Sequence, residues 1–192
     1  MTRTLTAVAT GLLLLAGSTP ALWAGDSQGA IGPEAAFPAA WSDAGQPDAK
    51  DAPDAIYGFY YVLGVQLQPR VSATTFAYDF NGCIHLTGGT DNRLTFPLLV
   101  PDGSLIKFVR IYYDDTNAGV DLTTWLSTYQ AGVTSTDLLS LTSTGSAGYG
   151  TVLSPELFID FDSTINYSLI VAPNVNNSTV QICGVRVAYY AP

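Results

Sequence analysis

The sequence predicts an all-β protein: a single antiparallel β-sandwich of jelly-roll or Greek-key type, occupying residues 56–192. Two observations carry this. From Tyr57 onward the chain is rich in Val, Ile, Leu, Thr, Tyr and Phe, residues that pack well on a pleated surface. Turn-forming residues recur about every ten positions, the spacing of short strands in sandwiches and barrels.

The elements follow in chain order. Tyr57–Leu67 reads as a long first strand, with Tyr57, Phe59, Tyr61, Leu63, Val65 and Leu67 on one face and Gly58, Tyr60, Val62, Gly64 and Gln66 on the other. A strand apolar on both faces is central to its fold or covered by a partner subunit. Thr74–Phe80 and Cys83–Thr87 flank Asn81-Gly82, a dipeptide suited to the two positive φ angles of a type I′ turn. Arg93–Val100 and Leu105–Tyr113 flank Pro101-Asp102-Gly103-Ser104, in which Pro presets φ at the second turn position and Gly takes a left-handed one. Strands are then predicted at Leu122–Tyr129 and Leu138–Ser143, at Thr151–Leu153 with Leu157–Phe161, and at Tyr167–Ala172. Gly145–Gly148 and Asn174–Asn177 mark two further reversals. The last strand, Val180–Tyr190, sets Val180, Ile182, Gly184, Arg186 and Ala188 against Gln181, Cys183, Val185, Val187 and Tyr189. First and last strands of such domains are often neighbours.

Two segments precede the domain. Residues 1–24 combine a charged start at Arg3, a short apolar run through Leu12–Leu15 and small residues up to Ala24, the pattern of a secretory signal peptide. The run falls short of the ~20 residues that span a bilayer. The reading is therefore an exported, bacterial-style protein, secreted, periplasmic or held at the cell surface, with no integral membrane segment after cleavage. Residues 25–55, dominated by Ala, Gly, Pro, Asp and Ser, read as an acidic, disordered linker.

Charge removes one class of partner. Of seven basic residues Arg3 leaves with the signal, so six remain against sixteen acidic ones, a net charge of about −10. Nucleic-acid recognition needs a basic stripe, and this composition offers none.

Chemistry is sparsely signalled. Two cysteines in an exported chain pair in an oxidising compartment, which predicts a Cys83–Cys183 disulfide. The Asp114–Asp121 stretch places Asp115, Asn117 and Asp121 as a weak Ca²⁺ candidate, although Gly119 falls one place early for an EF-hand and Leu126 stands where Glu is needed. The competing reading is a turn in which Asp and Asn bond their own backbone. No other cofactor is indicated. Asp160 with Asp162, or Asp114 with Asp115, are carboxylate pairs of the kind a glycan hydrolase uses, but they read better as solvated strand ends. His85 is the single histidine, and no nucleophile elbow accompanies it. The chain is accordingly read as non-enzymatic.

Aromatic residues exceed what one small core needs. Tyr112, Tyr113, Trp125, Tyr129 and Tyr149 are the candidates for ligand or interface contacts. The leading expectation is an exported module acting through protein surfaces, as a homo-oligomer or with another extracellular protein. The alternative is a carbohydrate-binding domain using exposed aromatics.

Three stretches, Leu98–Ile106, Ile111–Asp115 and Ile182–Tyr190, together resemble the corresponding parts of bacterial secreted jelly-roll-like β-sandwich domains. The resemblance spans about Tyr57 to Tyr190 and implies a fold. It brings no activity and no functional residues.

Overall fold

Residues 57–192 are described by the structure, a computed structural model; the expected signal peptide (1–24) and linker (25–55) lie outside the described residues. Within them the chain forms strands β1 (Tyr57–Leu63), β2 (Gln68–Pro69), β3 (Thr75–Tyr78), β4 (Ile84–Gly88), β5 (Leu94–Pro97) and β6 (Leu105–Asp115), followed by β7 (Thr123–Gln130), β8 (Thr134–Thr142), β9 (Gly148–Leu153), β10 (Ile159–Asp160), β11 (Asn166–Ala172) and β12 (Val180–Tyr190). Every pairing is antiparallel.

Two sheets result. Sheet A runs β10-β6-β12-β4-β3, with β1 also on β12 and β9 also on β6; sheet B runs β2-β5-β11-β7-β8. Neighbours such as β6–β12 and β5–β11 are far apart in sequence, so the chain crosses repeatedly between sheets, the wiring of a Greek-key sandwich. The first and last strands pair from Tyr57↔Tyr190 to Leu63↔Gly184. Fully buried Ile106, Val109, Ile111, Ile182, Val185 and Val187 of sheet A meet Leu94, Leu126, Leu169 and Val171 of sheet B. Removing one such Leu side chain costs about 2–5 kcal/mol through lost transfer energy and the cavity left behind.

Four local features depart from the pattern read in the sequence, each for a physical reason. The first strand stops at Leu63 because the next residues form one 3₁₀ turn, Gly64–Gln66, closed by the Leu67 N–H to Gly64 O bond. Gln66 Oε1 reaches back to accept from the Leu63 N–H at 2.8 Å. The last strand carries a bulge between Ile182 and Gly184. One extra residue reverses the phase of alternation, so Val180 and Ile182 share the core with Val185 and Val187, while Gly184, Arg186 and Ala188 face outward. In the Pro101–Ser104 turn the Ser104 N–H bonds Pro101 O at 3.1 Å, which makes Pro101 the first turn position, with Gly103 taking φ +75. Finally, Thr151–Leu153 and Leu157–Phe161 belong to separate short strands that both edge β6. Between them Ser154 Oγ accepts from the Val109 N–H at 3.0 Å. Asn81 and Gly82 adopt φ 61 and 79, both positive as their turn requires.

The Cys83–Cys183 disulfide is formed, with both residues fully buried against Tyr112. It ties the start of β4 to the bulge of β12 across 100 residues of chain. Closing a loop of that length contributes about 4.7 kcal/mol in the chain-entropy account.

Candidate functional site

The face of sheet B that points away from the core carries a groove. Antiparallel partners share a face, so the register sets Thr95, Ile170, Trp125 and Ser140 in one row across the sheet. Pro97, Ser168, Ser127 and Asp137 form the next row, and Asn166, Tyr129 and Ser135 the third. Trp125 and Tyr129 stand four residues apart on β7, where a period of two keeps them on one side. Both are half-buried, each leaving part of its ring open.

The third row opens into a cavity of about 510 Å³ whose walls include Pro97, Leu99, Tyr129, Ile165 and Asn166. That volume falls in the range of small-molecule sites. A neighbouring hollow of about 410 Å³ shares Tyr129, Ile165 and Asn166 with it and adds Thr134 and Thr136. Arg70 links the large cavity to a smaller depression bounded by Arg93, Trp125, Ser135 and Asp137. The three adjoin through these shared residues and together form a trough, apolar mainly in its largest part and polar at the Arg93–Asp137 end.

The rim holds charge in balance. Arg70 Nε donates to Asp91 Oδ2 at 2.7 Å, and Arg70 and Tyr129 line the large cavity together. Burial works to lower the proton affinity of Arg70, but the Asp91 carboxylate outweighs this and holds the guanidinium charged. The Arg93 guanidinium sits over the Trp125 ring at 5.7 Å, a cation–π contact. Across that ring Asp137 Oδ1 accepts from Ser127 Oγ at 2.6 Å. Thr95 Oγ1 and Ser168 Oγ lie 2.6 Å apart on the floor. A surface built this way offers donors and acceptors within a few ångströms of ring faces.

The five aromatics singled out in the sequence separate. Trp125 and Tyr129 are brought together in the trough. Tyr112 lies 4% exposed on the outward face of sheet A, its ring edge-on to Tyr61 at 5.6 Å. Tyr149 is on the same side, opposite Asp114. Tyr113 points into the core, where its hydroxyl accepts from the Thr144 N–H at 3.1 Å. The trough residues absent from the sequence-level candidates are Arg70, Asp91, Arg93, Thr95, Asp137, Asn166 and Ser168. No sequence pattern marks these residues; strand pairing brings them to the face of Trp125 and Tyr129.

The acidic stretches are bound up in local structure. Fully buried Asp115 accepts from the Asn117 N–H at 3.0 Å through Oδ1 and from Ser143 Oγ at 2.6 Å through Oδ2. Asn117 Oδ1 takes the Gly119 N–H at 2.9 Å, while Asp121 lends its backbone oxygen to Asn174 Nδ2 at 2.7 Å. Among the described residues no three His, Cys, Asp or Glu side chains are grouped to hold a metal ion. Asp162 Oδ1 accepts from the backbone and hydroxyl of Thr164, closing its own turn, and Asp160 is exposed on β10. Asp114 has its carboxyl raised above the usual range by burial and by the neighbouring Asp115 and Asp79 carboxylates. His85 Nδ1 pairs with Asp79 Oδ2. Among the described residues no helix is long and apolar enough to cross a membrane.

No protein-family model matches the chain, and no curated protein matches it. Solved structures show fold-level likeness. An isomalto-dextranase from Arthrobacter globiformis T6 complexed with panose is 16% identical, over 68% of this chain and 23% of that one, with a TM-score of 0.43. An exo-β-1,3-galactanase from Phanerochaete chrysosporium with galactose gives 14% identity, 68% and 29% coverage, and a TM-score of 0.44. The C-terminal CBM6 of LamC, a marine laminarinase from Zobellia galactanivorans, gives 12% identity, 68% and 98% coverage, and a TM-score of 0.45. The matched part spans about a quarter of the two enzymes. Such likenesses assign neither site nor activity.

Proposed function

We propose that this chain is a non-enzymatic, exported binding module whose sheet-B trough takes carbohydrate. The observation that carries the reading is the placing of Trp125 and Tyr129 on one face, among Arg70, Arg93, Asp137 and Asn166. A sugar ring presents apolar C–H faces and a girdle of hydroxyls. Partly open rings suit the former, and charged or amide side chains bonded to hydroxyls suit the latter. Asp91 and Asp137 are the carboxylates of this rim. Asp91 is committed to an ion pair, and Asp137 already accepts a hydrogen bond. These roles favour holding a ligand over protonating one.

Retention on a panel of immobilised polysaccharides tests the proposal. Tyr129→Ala removes a wall of both hollows. Losing a ring contact costs about 1.4 kcal/mol, a tenfold weakening. Equal retention of the variant and the parent refutes the site.

A further inference from the structure

The sheet-B trough has two chemically unlike ends. At one, the Arg93 guanidinium lies 5.7 Å from the centroid of the Trp125 ring, and Arg70, Ser135 and Asp137 border the same depression. A guanidinium brings five N–H donors in a fixed fork, and a carboxylate brings acceptors. That end suits hydroxyl groups.

The other end is the hollow of about 510 Å³, walled by Pro97, Leu99, Ala131, Phe161 and Ile165. Several polar groups along it are already paired within the protein. Thr95 Oγ1 and Ser168 Oγ share a hydrogen bond at 2.6 Å, and the Ser163 N–H donates to Asp102 Oδ1 at 2.7 Å. The Pro97 carbonyl accepts from the Tyr60 hydroxyl at 3.1 Å, and the Leu98 N–H donates to Tyr167 O at 3.1 Å. Arg70 and Asn166 stand where this hollow joins its two neighbours. A hydroxylated group entering the apolar part gives up water for few new partners. An apolar chain gains by leaving water.

The surroundings agree. β5 ends, β11 begins and β7 turns back at this one end of sheet B, and each connection leaves an aliphatic side chain open to water. Leu99 is 67% exposed, Ile165 40%, and Val133, in the turn that also carries Ala131, 73%. Leu98 and Val100 on either side of Leu99 are buried in the core, so alternation turns Leu99 outward, where the core does not use it. Apolar groups gathered in this way mark a surface that a ligand covers.

We propose that the ligand is an amphiphilic saccharide, with sugar rings at the Trp125 end and an alkyl or acyl chain, carried by the sugar, in the hollow beside Leu99 and Ile165. This rests on the carbohydrate reading above and narrows it. Burying a methylene raises affinity about fourfold when burial is complete, and about twofold when it is half complete.

The test is isothermal titration of the whole chain with n-butyl, n-hexyl and n-octyl β-D-glucosides and the matching galactosides, each below its micelle-forming concentration. In the better-bound series affinity rises at least about twofold per added methylene. The hexyl glycoside binds at least about threefold tighter than triethylene glycol monohexyl ether, which has the chain without the sugar. Leu99→Asp, a change at an exposed position, flattens the dependence on chain length. Arg93→Ala weakens every glycoside by one factor and keeps the slope. Phosphatidylcholine vesicles with and without galactosylceramide separate the sources. Capture by the glycolipid vesicles alone upholds the proposal with a membrane-held ligand, and capture by neither upholds it with a free one. Capture by both overturns it. A slope below twofold also overturns it, and polysaccharide retention that persists then leaves the carbohydrate site standing. A slope with the ether bound as tightly as the glycosides overturns the carbohydrate reading and this inference with it. A dimer that Leu99→Asp dissociates overturns the inference too, assigning the hollow to a second copy.

Discussion

Replacing Gly64 by Ala strikes the point where β1, β12 and the disulfide hairpin meet. A Cβ built at Gly64 falls 2.1 Å from Ile182 O and 2.8 Å from Gly82 O. Both are backbone atoms, so no side-chain rotation relieves the contact. Ile182 is held by Tyr113 of β6 on one side and Ile84 of β4 on the other, and Gly82 is the residue before the disulfide-bonded Cys83. Relief requires the 3₁₀ turn to lift off β12, which breaks the Leu67 N–H to Gly64 O bond and uncovers fully buried Leu67. Overpacking of this kind costs about 1–3 kcal/mol, and loss of one hydrogen bond adds about 1 kcal/mol. A total of about 3 kcal/mol lowers the melting midpoint of a domain this size by roughly 9–12 °C. Gly132→Ala is the control, because nothing lies within 4 Å of its Cβ position and only its φ of +73 is at stake. That strain costs ~1–2 kcal/mol. Differential scanning calorimetry compares the two. A Gly64→Ala midpoint no lower than that of Gly132→Ala refutes the close-approach argument.

Three further outcomes follow from the same structure. Replacing Cys83 and Cys183 together by Ala lowers the urea-unfolding free energy by several kcal/mol, up to the ~4.7 of the loop-entropy account; a loss under 1 kcal/mol contradicts the linking role given to the disulfide. Tyr57, its proton affinity raised to about 12 by burial and by the hydrogen bond between its hydroxyl and that of Tyr190, keeps its proton where an unfolded tyrosine loses it. Stability is thus full below pH ~10 and falls between ~10 and 12. Tyr57→Phe should flatten that fall, measured by alkaline denaturation. Adding Ca²⁺ to millimolar concentration leaves the melting midpoint unchanged, since both Asp115 oxygens are committed to Asn117 and Ser143; a rise of several degrees contradicts that reading.

What the sequence discloses here is local. Asn81-Gly82 names its own turn, because positive φ at both positions excludes most other residues, and the pairing of two cysteines leaves no alternative partner. The outer strands find one another as expected. Phase and assembly are harder to see. The bulge after Ile182 inserts one residue in a run of uniformly apolar character, so nothing in Ile182-Cys183-Gly184-Val185 shows that alternation reverses there. Gly64 looks like any strand glycine until Ile182 is folded against it. The trough was half legible: Trp125 and Tyr129 share a strand and a face. Arg70, Asp91 and Arg93 reach them only through the pairing of β2 with β5, of β5 with β11 and of β11 with β7, contacts that join positions tens of residues apart. Tyr113 and Tyr112 are adjacent in sequence and bound for opposite faces, which composition alone does not reveal.

The claim at the centre of this account is that the sheet-B trough binds carbohydrate, and affinity electrophoresis through gels containing a panel of neutral and acidic soluble polysaccharides tests it most directly. The account predicts that at least one polysaccharide retards the parent chain, that Tyr129→Ala abolishes most of the retardation, and that Phe59→Ala on the opposite sheet leaves it unchanged. Migration unaffected by every polysaccharide, or retardation that survives Tyr129→Ala and disappears with Phe59→Ala, contradicts it.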